Sequence, residues 1–354
     1  MASEQALGTA AAAPSRLRIL PWTQQLHDAH PVAPWKSGAC VTLVLAVAFT
    51  AFELALGRQH LLPDQTTLRN IRLAYVMFLT VGFALGASLH LVAQARRTLA
   101  ELLPRLTLPP AEAAALLEAT GRFSRGGLWR AGLFGLAISV LVPLLADPPR
   151  VLYDPRHWLP EMYWHRIVVL ALGWWISRLL MLVVVQSLRL RDLTRALPEL
   201  DLFDLSILRP FTRQTLTHVL ALAGLGSILT LNLIEEGFGA MVALLTLQNA
   251  GLAALAVWAP LAPIRDRVRE AKERALAWCR GELASAAGGL VAERETAERG
   301  RVADLVAYET RVGAVPEWPF DAGAVGRLAF YLLIPILSWS GGAVVERWID
   351  ALLD

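Results

Sequence analysis

The chain has 354 residues, of which 55% are hydrophobic and 18% charged, with a formal net charge of +3 and a mean hydropathy of +0.47. Soluble domains carry about a quarter charged residues, so this composition argues against a pair of soluble domains and for a polytopic membrane protein. The basic residues are mostly arginines placed between apolar runs, where membrane topology demands them, which speaks against a nucleic-acid-binding surface.

The first 36 residues are small, polar and Ala-rich and read as a mostly disordered cytoplasmic tail, with LRILPWTQQL at the membrane surface. The first apolar run begins near Ala39, too late for a cleaved signal peptide. About 20 apolar residues span a bilayer, and seven stretches qualify: roughly 38–57, 72–94, 128–146, 164–188, 215–234, 238–262 and 326–348. The expected fold is all-α, a polytopic bundle of about seven transmembrane helices with a cytoplasmic helical hairpin. A six-helix membrane domain covers 37–262, the hairpin covers 263–324, and residues 325–354 form the last span and a short outer tail.

Arginine and lysine alternate between loops as seven spans require. Arg96, Arg97, Arg105, Arg122 and Arg125 follow span 2, Arg189, Arg191, Arg195, Arg209 and Arg213 follow span 4, and the richest loop, from Arg265 to Arg311, follows span 6. This places the N-terminus in the cytoplasm and the C-terminus outside, in a multi-pass protein of a bacterial inner membrane. Trp35, Trp129, Trp258 and Trp318 then fall at inner ends, and Trp158, Trp164 and Trp348 at outer ends.

The loops carry elements of their own. TLPPAEAAALLEATG, after span 2, has helix-start chemistry at Thr107 and Glu112 and a stop at Gly121. After span 4, Leu202, Phe203, Leu205, Ile207, Leu208 and Phe211 are too apolar for a free loop and predict a helix, either interfacial or docked under the bundle. After span 6, Ile264, Val268, Ala271, Ala275 and Trp278 recur at helical spacing. Gly288-Gly289 is expected to break that helix, and a second helix over about 290–313, with Val302, Leu305, Val306 and Val312 on one side, returns to the membrane. Pro260, Pro263, Pro335, Gly341 and Gly342 are the candidate hinges. Span 2 ends LVAQARRTLAELLP and span 4 ends VVVQSLRLRDLTRALP, a shared pattern that two helices leaving a membrane by the same rules would produce.

No phosphate-binding glycine loop, metalloprotease or hydrolase motif is present, so neither catalytic, cofactor-binding nor metal-ligating residues are assigned, and an enzyme is not expected. Cys40 and Cys279 are too far apart for a CxxC motif and read as packing or surface cysteines. Polar residues inside spans are the candidates. Arg178 lies in LALGWWISRLLMLVVV, with Trp174 four residues and Trp175 three residues before it, so both indoles flank its helix face. Cation–π contact offsets much of the burial of such a charge, and Ala171, Trp174, Arg178 and Val185 should face protein. Gln248 and Asn249, at similar depth in span 6, are the candidate carboxamide partners, whereas Glu53 is expected to snorkel outward. His90 and His218 read as interhelical hydrogen-bonders, and Gly82 and Gly86 as a close helix contact within the chain. Two functions follow: an oligomeric channel or transport protein for ions or small solutes, or a non-catalytic sensor or scaffold acting through the hairpin. The expected partners are the lipid bilayer, further copies of the chain, and a cytoplasmic protein at 264–313.

Overall fold

The computed structural model describes residues 18–56, 65–146, 160–231, 240–292, 296–318 and a few positions between 323 and 333. The described chain is helical: α1 (Trp22–Ala29), α2 (Pro34–Ala55), α3 (Gln65–Leu102), α4 (Pro110–Ala119), α5 (Arg125–Ala146), α6 (Pro160–Leu193), α7 (Arg209–Leu231), α8 (Ala240–Ala292) and α9 (Thr296–Gly313). A two-residue antiparallel ladder joins β1 (Arg18–Ile19) to β2 (Phe123–Ser124).

Among the described residues, four segments are long and apolar enough to cross a membrane: Pro34–Ala55, Ile71–Arg105, Tyr163–Ala196 and Leu247–Ala286. They make this chain compatible with a membrane protein and support four of the seven expected spans. Helices α5 and α7, 22 and 23 residues long, coincide with two further expected spans without being among those four. Most of the last expected span, with Pro335, Gly341 and Gly342, lies outside the described residues, as does the turn at 235–237.

Helix α3 is the central post, packed by α2, α6 and α7, while α5 leans on α6 and α8 on α6 and α7. Glycine sets how closely the first pair approaches. A Cβ on Gly38 of α2 would stand 2.5 Å from the carbonyl oxygen of Gly82 and 3.3 Å from the Cα of Gly86. The Gly82–Gly86 pattern therefore serves a contact inside the chain, and Thr42 Oγ1 donates to Phe78 O at 3.3 Å beside it. Helices α5 and α6 repeat the device, with Gly135 against Gly173, Ser139 near Gly173 and Ser177 near Gly135.

Three apolar clusters stack along the bundle. The first is aromatic, with Phe49 and Phe78 buried and Trp164 about 6 Å from both rings. Glu53, near it in sequence, is 3% exposed and does not snorkel. The middle cluster holds Leu91, Leu179, Val219, Leu222 and Ala256. The third lies where the long helices end. Leu197, Leu200, Leu202, Leu208 and Phe211 pack there with Leu102, Leu261, Ile264, Val268 and Val312. The apolar stretch after α6 is therefore docked, but as a loop with a single 3-10 turn at Leu205–Leu208 and not as the expected helix, its apolar side chains packing without regular backbone.

Length dictates what projects. At 1.5 Å per residue the 53 residues of α8 reach about 80 Å, against about 30 Å of hydrocarbon. The helix runs unbroken through Pro260 and Pro263 and past Gly288-Gly289, so the expected break is not there. Glycine costs a helix only about 1 kcal/mol, and α9 packing alongside offsets it. Cys279 Sγ lies 3.2 Å from Leu305 O, and Arg280 pairs with Glu309 at 3.0 Å across the two helices. Ile264, Val268 and Cys279 are buried on this side, whereas Trp278 and Val306 are exposed: a long helix drifts, and its stripe passes to the next position.

Cations fasten the loops through backbone carbonyls. Arg189 donates to Ala119, Thr120 and Arg122 carbonyls at 3.1, 3.0 and 2.6 Å, and Arg267 to those of Thr194, Leu197 and Pro198. Lys272 donates to Gly313 O and Val315 O at 2.7 and 2.9 Å. Helices α3 and α6 both stop in 3-10 turns (Leu103–Arg105 and Thr194–Ala196), and Thr107 N and Oγ1 bond to Ala196 O, so the two similar sequence ends lie side by side.

Candidate functional site

Two polar sites interrupt the apolar bundle. The first surrounds Arg178 on α6. Its guanidinium carbon stands 5.0 Å from the Trp174 ring centre and 5.8 Å from that of Trp175, the arrangement expected from their spacing. Each indole has a further neighbour: Trp129 of α5 meets Trp174 edge-on at 5.4 Å, and Trp22 of α1 meets Trp175 at 6.1 Å. Gly132 leaves the room that Trp174 fills.

The chain segment over this site was expected to be a disordered tail. Instead, from Arg18 onward, it is anchored by the β1–β2 ladder and by α1, because Asp28 meets Arg96 with two hydrogen bonds of 3.0 and 3.1 Å. Burial pulls the Asp28 carboxyl upward, but hydrogen bonds from Arg96 and Gln24 outweigh it and hold the group below its ordinary 3.8. Pro21, Thr23 and Gln24 then join Trp175 and Arg178 around a cavity of about 40 Å³. That volume holds a water molecule or two and no larger ligand. Gln248 is exposed and Asn249 half-buried on α8, and among the described residues neither bonds to Arg178. The structure thus brings together Arg178, Trp174 and Trp175, and leaves Gln248 and Asn249 outside the constellation.

The second site is a buried hydrogen-bond network across α3, α6 and α7. His218 is 0% exposed, Gln214 0%, Ser187 1%, Thr98 1% and Gln186 2%. His218 Nε2 lies 2.9 Å from Gln186 Oε1 and 3.0 Å from Gln214 Nε2, and its Nδ1 lies 3.3 Å from Ser187 Oγ. Thr98 donates to Gln214 Oε1 at 3.2 Å, and Gln186 Nε2 to Leu91 O at 3.4 Å. The ring has a complete set of partners in either neutral tautomer. With the proton on Nε2 it donates to Gln186 and accepts from Ser187; with the proton on Nδ1 it donates to Ser187 and accepts from Gln214.

His218 alone was visible in sequence as a hydrogen-bonder. Gln186, Ser187, Gln214 and Thr98 were missed, although Gln214 and His218 stand four apart, on one face of a helix otherwise apolar there. His90 is exposed and takes no part. Among the described residues no three His, Cys, Asp or Glu side chains gather as metal ligands would. Comparisons with protein families, curated proteins and solved structures give no match to this chain.

Proposed function

We propose that this is a multi-pass membrane protein of seven spans, N-terminus in the cytoplasm, that assembles as a homo-oligomeric channel or transport protein for ions or small solutes. The reading rests on one observation: Gln248 is exposed on an apolar helix of membrane-spanning length. A carboxamide turned to lipid forfeits its hydrogen bonds, at about 1–3 kcal/mol. Turned to another subunit or to a water-filled path, it keeps them. The same face of α8 is uncovered. Leu247, Leu255 and Trp258 are exposed on α8, and a Cβ on Gly251 would meet nothing within 4 Å. Small residues with a lone amide are what membrane helices use for close association.

Purified protein in sealed liposomes tests the reading. Wild type is expected to release an entrapped salt or small solute, and Gln248→Leu to release it more slowly and to dissociate more readily on native gels. Folded wild-type protein that releases nothing refutes it.

A second reading, a sensor or scaffold without transport, is favoured by the continuity of α8. One helix carries the packing of α6 and α7 out to α9, so a shift at the membrane end must move the outer pair. Silent liposomes together with a stable complex on the exposed Trp278 and Val306 side would favour it.

A further inference from the structure

A groove of about 1060 Å³ opens at the start of α7. Its lining changes character along that helix. Arg209 and Arg213 come first, one turn apart, then Leu216 and Thr217, then Leu220. From Arg209 to Leu220 is about 16 Å at 1.5 Å per residue. Arg105, from the turn after α3, joins the basic end.

The basic end carries Arg105, Arg209 and Arg213 against Glu101 and Asp204, so positive charge is left over. Glu101 is occupied by Arg213 at 2.7 Å, and Asp204 accepts the Ser206 backbone N–H at 3.0 Å while also lying in the fields of Arg105 and Arg209. Among the described residues, the guanidinium groups of Arg105 and Arg209 make neither a hydrogen bond nor a close ion pair. Two guanidinium groups with spare donors suit a phosphate, which they grip through paired N–H···O bonds. A free phosphate ion would use only this end. The apolar wall leading away from it, about as long as a headgroup and the first part of an acyl chain, calls for a ligand that is charged at one end and oily at the other.

We propose that the groove binds an anionic glycerophospholipid, with Arg105 and Arg209 on its phosphate and with Leu216 and Leu220 beside its chain. The proposal rests on membrane embedding and not on transport, so loss of one does not entail loss of the other.

The test is the unfolding midpoint of the full chain in a neutral detergent, titrated with phosphatidylglycerol or phosphatidylcholine. Phosphatidylglycerol is expected to raise the midpoint and phosphatidylcholine to leave it unchanged. In the double variant Arg105→Gln/Arg209→Gln, apparent affinity should fall about thirty-fold, since each basic residue beside an anionic lipid is worth about fivefold. Arg195→Gln, an exposed arginine outside the groove, should retain wild-type affinity and so controls for charge in general. Equal stabilisation by the two lipids, or a double variant that binds like wild type, overturns the proposal. So does full reproduction of the shift by millimolar inorganic phosphate, which would make the groove a site for a soluble anion.

Discussion

Replacing His218 by leucine removes three contacts at once, at 2.9, 3.0 and 3.3 Å, and leaves Gln186, Gln214 and Ser187 buried behind it. Gln214 Nε2 already donates to Gln186 Oε1 at 3.4 Å and can tighten that bond. Ser187 cannot be rescued in this way and becomes the main orphan. An orphaned buried group costs about 1–3 kcal/mol, while hydrogen bonds between membrane helices average about 0.6 and reach about 1.7 kcal/mol. His218→Leu is therefore expected to destabilise the fold by about 2 kcal/mol. Gln186→Leu should cost about 1–2 kcal/mol, because it removes the bonds of Gln186 Oε1 to His218 Nε2 and Gln214 Nε2 and a second bond to the Leu91 carbonyl. The double variant removes both halves of the bond and sets two leucines against each other, so it should be less damaging than the sum by at least about 1 kcal/mol. Unfolding of the four proteins in mixed micelles, followed by circular dichroism, gives the cycle. Additivity within about 0.5 kcal/mol would refute the network as a coupled unit.

Two further outcomes are expected. The Asp28 carboxylate titrates below its ordinary value, so its bond to Arg96 is present above about pH 4 and is lost as pH falls through the lower folded value; the protection of amides across 22–29, relative to unstructured chain at the same pH, should fall there, and Asp28→Asn should show the lower protection already at neutral pH. With side chains 35% and 36% exposed, the pair is worth under about 1 kcal/mol, so global stability should barely change. Gly38→Val drives a side chain into the Gly82 backbone, and a midpoint lowered by about 1–3 kcal/mol is expected; wild-type stability would show that α2 and α3 are not held at this distance by glycine.

Helix existence was written in the sequence because an apolar run of some 20 residues admits few other structures. The cation–π site was legible for a related reason: a spacing of three or four on one helix fixes which side chains meet, without knowledge of the fold. Contacts between helices were legible only at the Gly82–Gly86 pattern, and without its partner Gly38. Gln186 and Gln214 look like any two amides until α6 and α7 are laid together. Nor was the order of residues 18–36 visible, since Asp28 finds Arg96 across 68 positions of chain. The glycine pair at 288–289 misled because a glycine's propensity is a weak local preference, and the packing of α9 along α8 overrode it.

Arg189, Arg267 and Lys272 share a property that shapes how the third apolar cluster and its loops can change over generations. Each grips main-chain oxygens, and Arg189 also lies over the Phe123 ring at 5.1 Å. Every residue type supplies that oxygen, so the gripped loops are free to drift in composition while the three donors are not. The same cations belong to the arginine- and lysine-rich loops that mark orientation in the sequence. A helix inserted the wrong way round would therefore forfeit its fasteners too, and direction and docking would fail together.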